Sequence, residues 1–161
     1  MAAEYSANAR QRVGINRAVV FSAGPVPCNQ GLIFHRPESG SFLLANNAPR
    51  SCNCGCNCGC RRIYETVYGV SFHANIAVPD DGDVEEIQLA ISVDGDADPS
   101  STMRFTPTAV DEFGNVGAEI LVSVPSLCGC ESVSVRNISA QDIDVENANI
   151  VFTYEGVRRV F

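Results

Sequence analysis

Tyr64-Glu65-Thr66-Val67-Tyr68-Gly69-Val70-Ser71-Phe72-His73-Ala74-Asn75-Ile76-Ala77-Val78 is the stretch whose reading decides the fold. Tyr64, Thr66, Tyr68, Val70, Phe72, Ala74, Ile76 and Val78 recur at every second position, and mostly small or polar residues separate them. Successive side chains of an extended chain point to opposite faces, so this alternation predicts a long strand with one buried face. Its length is enough to bend and serve two sheets.

Val84–Val93 repeats the pattern, with Ile87, Leu89, Ile91 and Val93 on one face and Gln88, Ala90 and Ser92 on a mild opposite face. Further strands are predicted at Ala18–Ser22, Gly31–His35, Ser41–Leu44, Met103–Thr106, Ala118–Val124, Ser132–Asn137 and Asn149–Tyr154. Turn chemistry separates them at Pro79-Asp80-Asp81-Gly82, Asp94-Gly95, Phe113-Gly114-Asn115 and Pro125-Ser126. Helical periodicity is nearly absent. The expected class is all-β, a two-sheet jelly-roll-like sandwich.

A chain of 161 residues with 45% hydrophobic residues suits one domain with a packed core. Residues 1–16 carry little apolar periodicity and are expected to form a flexible N-terminal arm, with a single sandwich domain over 17–161. The basic residues number 11, all Arg, against 19 acidic ones, for a net charge of -8. Phosphate binding needs a basic surface, so nucleic acid is not an expected partner. Arg-only cations suit paired contacts with carboxylates, including contacts between subunits. A run of about 18 apolar residues is missing, as is an apolar leader near the start, so synthesis in the cytoplasm and no membrane partner are expected.

Residues 46–62 form a Cys-rich insertion containing Cys52, Cys54, Cys56, Cys58 and Cys60, one thiol at every second position. Thiols two residues apart on an extended chain sit roughly 6.5–7 Å apart, at the upper limit for a disulfide, so neighbours in the run pair poorly with each other. The loop could bind a structural Zn or another soft metal ion, or form interchain disulfides, with Cys28, Cys128 and Cys130 as possible partners. Zinc motifs usually space their cysteines Cys-x₂-Cys, which this run does not match.

Catalysis through these thiols would need a base, and His35 and His73 both lie in or beside predicted strands, where a structural histidine is the ordinary outcome. Asp94-Gly95-Asp96-Ala97-Asp98 begins like a calcium loop, but Pro99 and Phe105 occupy the positions where an EF-hand needs Gly and Glu. Asn137-Ile138-Ser139 matches a glycosylation acceptor by chance, in a chain without a secretory leader. Phosphate-loop, nucleophile-elbow and His-Glu-x-x-His motifs are missing, which argues against an enzyme.

Several segments together carry a resemblance: Val26 to Arg36, Asn75 to Pro79, Ile91 to Gly95, Thr106 to Asp111, Val124-Pro125 before Cys128-Gly129-Cys130, and Val145 to Ile150. They resemble small jelly-roll proteins of phages and prophages of Gram-positive bacteria, similar in outline to trimeric modules of the tumour-necrosis-factor and complement-C1q type. The resemblance implies a homotrimeric decoration, spike or head-fibre module, anchored to a capsid or other particle protein by the N-terminal arm. A virion or a cell or spore surface would be its final location. Alternative expectations are a cysteine-crosslinked filament or spore-appendage subunit, and a receptor- or carbohydrate-binding module.

Overall fold

The computed structural model describes residues 1–47, 64–125 and 130–160. Twelve strands are found among them: β1 (Ala2–Ala7), β2 (Gln11–Val13), β3 (Ala23–Val26), β4 (Ile33–His35), β5 (Phe42–Ala45), β6 (Tyr64–Ala77), β7 (Ile87–Val93), β8 (Asp96–Ala97), β9 (Met103–Phe105), β10 (Gly114–Pro125), β11 (Cys130–Asn137) and β12 (Ile143–Arg159). A single 3₁₀ turn, Pro99–Ser101, lies between β8 and β9. The order in sheet A is β10-β6-β12-β1-β3, with β2 also on β12, and in sheet B β4-β5-β11-β7-β8, with β9 also on β7. Every pairing is antiparallel, and the molecule is a two-sheet jelly-roll sandwich as the alternating sequence predicts.

The predicted inward faces form the core. Tyr68, Val70, Phe72, Ala74 and Ile76 of β6 meet Ile87, Leu89 and Ile91 of β7, all at most 1% exposed. Phe21, Phe42, Phe72 and Phe152 fill the middle, with edge-on ring contacts such as Phe21–Phe42 at 5.3 Å. Asp94 and Gly95, at φ +51° and +89°, close a two-residue hairpin between β7 and β8. Both central residues of such a turn sit in left-handed space, which the Asp-Gly pair tolerates. The Pro79 carbonyl accepts from Gly82 N–H at 2.9 Å, closing the predicted turn after β6.

Four expectations are corrected. Residues 1–16 are not a flexible arm: β1 pairs with β12 from Ala2↔Thr153 to Ala7↔Ala148 and buries Ala3, Tyr5 and Ala7, while β2 pairs with β12 through Val13↔Ile143. The sandwich therefore starts at residue 2, not at residue 17, because β12 would otherwise leave a ladder edge and a core face open. β6 stays within sheet A between β10 and β12, its twist absorbed by irregularities in β12 near Glu146/Asn149 and Tyr154/Gly156. Ala18–Ser22 contributes isolated bridges from Ala18 and Phe21 in place of a strand. Ala90 and Ser92, expected on an exposed face, are 0% exposed.

Candidate functional site at the cysteine-bearing end

The ends of five strands meet at one pole of the sandwich. Pro125 of β10 pairs with Glu65 of β6, Arg159 of β12 pairs with Tyr64, and Cys130 of β11 pairs with Ala45 of β5. The two sheets are tied together there: Thr66 Oγ1 accepts from Asn47 N–H at 2.8 Å and donates to Asn46 Oδ1 at 2.7 Å. The Tyr68 hydroxyl donates to the Ala45 carbonyl, and Asn47 Nδ2 donates to the Tyr154 hydroxyl at 3.4 Å. Burial, then the neighbouring Cys28 and Tyr154, pushes Tyr68 up to about 12.

Cys28, between β3 and β4, reaches the same pole. Ala45 N–H donates to the Leu32 carbonyl at 2.8 Å, which fixes the Cys28 loop against the end of β5. Gly31 turns this loop at φ +68°, in left-handed space where glycine carries no steric cost. Partial burial pushes the Cys28 thiol up, but the backbone N–H groups of Gln30, Leu32, Ile33 and Gly31 converge on its sulfur and together hold it below the ordinary cysteine value. Cys28 N–H donates to the Tyr5 hydroxyl at 3.4 Å.

Of the sequence-predicted thiols, Cys52, Cys54, Cys56, Cys58, Cys60 and Cys128 lie outside the described residues, while Cys28 is half-buried and Cys130 exposed. The segment carrying Cys52–Cys60 leaves after Asn47 and returns at Tyr64, and the one carrying Cys128 joins Pro125 to Cys130. Chain connectivity thus departs from this pole for both. Among the described residues no three of His, Cys, Asp and Glu are grouped to hold a metal ion.

His35 lines a hollow of about 380 Å³ with Tyr5, Cys28 and Phe34. Its Nε2 donates to the Ser39 carbonyl at 3.0 Å and its ring stacks on Phe42 at 4.3 Å, a structural role. His73 stands exposed on the outer face of sheet A. Asn137 is 0% exposed, with Nδ2 donating to the Val13 and Gln141 carbonyls at 3.0 and 2.8 Å, so the glycosylation-like triplet is internal.

Sequence reading missed the outer face of sheet A as a surface, because β1 was not recognised. Its central rows run Leu121–Gly69–Thr153–Ala2, Glu119–Ser71–Val151–Glu4 and Gly117–His73–Asn149–Ser6. Glu4 and Glu119 are the charged residues in these rows, and Glu4 accepts from Asn149 Nδ2 at 2.6 Å. Leu121 is 67% exposed.

No family model matches the chain, and no curated protein matches it. Among solved structures, it is similar to Eiger TNF from S. frugiperda, at TM-score 0.57 and 14% identity, over 96% of this chain and 91% of that one. It also matches CBM35 of Cellvibrio japonicus Abf62, at TM-score 0.39 and 9% identity over 99% and 97% of the two chains. A family 35 carbohydrate-binding module from Clostridium thermocellum matches at TM-score 0.36 and 14% identity, over 93% and 97%. At such identities the Eiger likeness concerns architecture alone, and this chain has the TNF-like jelly-roll fold.

Proposed function

We propose that this protein is a non-enzymatic, homo-oligomeric structural module, a trimer of the decoration or head-fibre type on a phage or phage-like particle, associating through the outer face of sheet A. The carrying observation is the chemistry of that face. An antiparallel sheet facing water normally alternates buried apolar with charged or strongly polar residues. Here the three central rows carry Glu119 on the β10 edge strand and Glu4 on β1 and are otherwise small or neutral, with Leu121 at 67% exposure at the β10 edge. Depletion of charge at the centre with an apolar anchor is the composition of an interface core. The phage setting rests on the sequence resemblance.

The thiols of the Cys52–Cys60 segment, with Cys28, Cys128 and Cys130 as possible partners, would join neighbouring subunits as interchain disulfides or around a soft metal ion. Native mass measurement tests the main reading: a trimer is expected at micromolar concentration, and Leu121→Asp should lower its mass to that of a monomer. A wild-type monomer would overturn it.

A further inference from the structure

Phe34 and Leu43 face each other across the β4–β5 ladder on the outer side of sheet B, 56% and 42% exposed. Together with Arg36, Ser39 and Ser41 they line a groove of about 580 Å³. Arg36 has no carboxylate partner among the described residues, although the chain carries a net charge of -8. An apolar pair beside a free guanidinium calls for an acidic partner with an apolar tip.

The chain itself carries such a tip. Residues 78–86 join β6 to β7 at the pole opposite the cysteines. Gln141 clamps this turn, its Oε1 accepting from Asp83 N–H at 2.9 Å and its Nε2 donating to the Asp83 carbonyl at 2.7 Å. Val84 is thereby held outward, 50% exposed, between Asp83 and Glu85. Asp80 and Asp81 pair with Arg12, and Glu86 pairs with Arg104. Asp83 and Glu85 have no cationic partner among the described residues, and Glu85 accepts only a neutral hydrogen bond from Gln141 Nε2 at 3.3 Å.

We propose that the groove beside Phe34 and Leu43 receives the Asp83-Val84-Glu85 turn of a second copy of this chain, with Val84 against the apolar pair and Glu85 on Arg36. The clamp by Gln141 orders the turn before contact, so little conformational entropy is lost on docking. Groove and turn are different surfaces, which makes the contact heterologous: it propagates into an open chain or closes into a ring, according to the rotation between copies. The contact does not use the outer face of sheet A, and it uses no thiol, although Phe34 also lines the neighbouring hollow beside Cys28.

Sedimentation velocity on the full chain across a wide concentration range tests the proposal, in wild type and in Leu121→Asp, where any sheet A association is disabled. Concentration-dependent growth is expected in both backgrounds. Arg36→Glu and Glu85→Arg should each weaken it at least tenfold, and the double exchange should return it to near the wild-type level. Val84→Asp should abolish it, and raised salt should weaken it. Circular dichroism and melting identify any variant that fails to fold. Association that ignores Arg36→Glu, or a double exchange no better than the single variants, would show that another occupant or none fills the groove, and the proposal would fail.

Discussion

The Nε of Arg10 donates to Oδ2 of Asp144 at 3.1 Å, joining residues 134 positions apart in sequence and fastening the N-terminal segment to β12. Asp144 has a side chain only 4% exposed, and Arg12 Nε reaches its other oxygen at 3.3 Å. Arg10 also bonds Asp111, and the two carboxylates hold its guanidinium above the ordinary arginine value, chiefly through the Asp144 hydrogen bond.

Asp144→Asn should lower the melting temperature more than Asp111→Asn does. The first change leaves two partly exposed guanidinium groups facing a neutral amide at a buried position, whereas Asp111 has a side chain 45% exposed and water can replace it. Equal, small effects in calorimetry would show that the network adds nothing to the attachment of the N-terminal segment.

Deleting residues 1–7 should abolish cooperative unfolding or make the protein aggregate. The deletion strips a six-residue ladder from β12 and removes Ala3, Tyr5 and Ala7 from the core. Limited proteolysis of the intact chain should accordingly spare this segment. Early trimming of residues 1–7 with the remaining fold intact would count against its place in sheet A.

Leu89→Ala should cost about 2–5 kcal/mol in chemical denaturation, the usual range for a large-to-small change in a packed core. Leu89 is 0% exposed and lies on the inward face of β7. A loss below about 0.5 kcal/mol would place it outside the core.

Cys28 should react with a thiolate-selective alkylating agent at lower pH in the folded protein than in the unfolded chain, because four backbone N–H groups favour its charged form despite partial burial. Its folded pKa lies below the unfolded value of 9.0, so the folded state releases the proton first. The resulting stabilisation is complete above the unfolded value and is lost as pH falls through the folded one. Cys28→Ser should remove this rise in stability with alkaline pH. A Cys28 that titrates at or above 9.0 would refute the description of its loop.

How much of the fold was legible follows from side-chain size. In β6 and β7 the inward positions are Tyr, Val, Phe, Ile and Leu, so a period of two stands out against small and polar neighbours. In β1 the inward positions are Ala3, Tyr5 and Ala7, and two alanines give almost no hydrophobic signal. That strand exists because β12 supplies its hydrogen-bond partners from the other end of the chain. Propensity over six residues carries no trace of such a partner. The bulged register of β12 and the burial of Ala90 and Ser92 were hidden for the same reason.

The candidate surfaces divide in the same way. From sequence come the thiol run, the turn at Pro79-Asp80-Asp81-Gly82 and the all-β class, because each rests on local composition and spacing. Tertiary structure alone brought Cys28, Cys130, Asn47, Tyr64 and Pro125 to one pole, set Leu121 beside Gly69, and left Phe34 and Leu43 paired and open to water. The physical reason is that a strand's own residues set which of its faces is apolar, whereas the neighbour that each face and edge meets is set by ladder partners far along the chain.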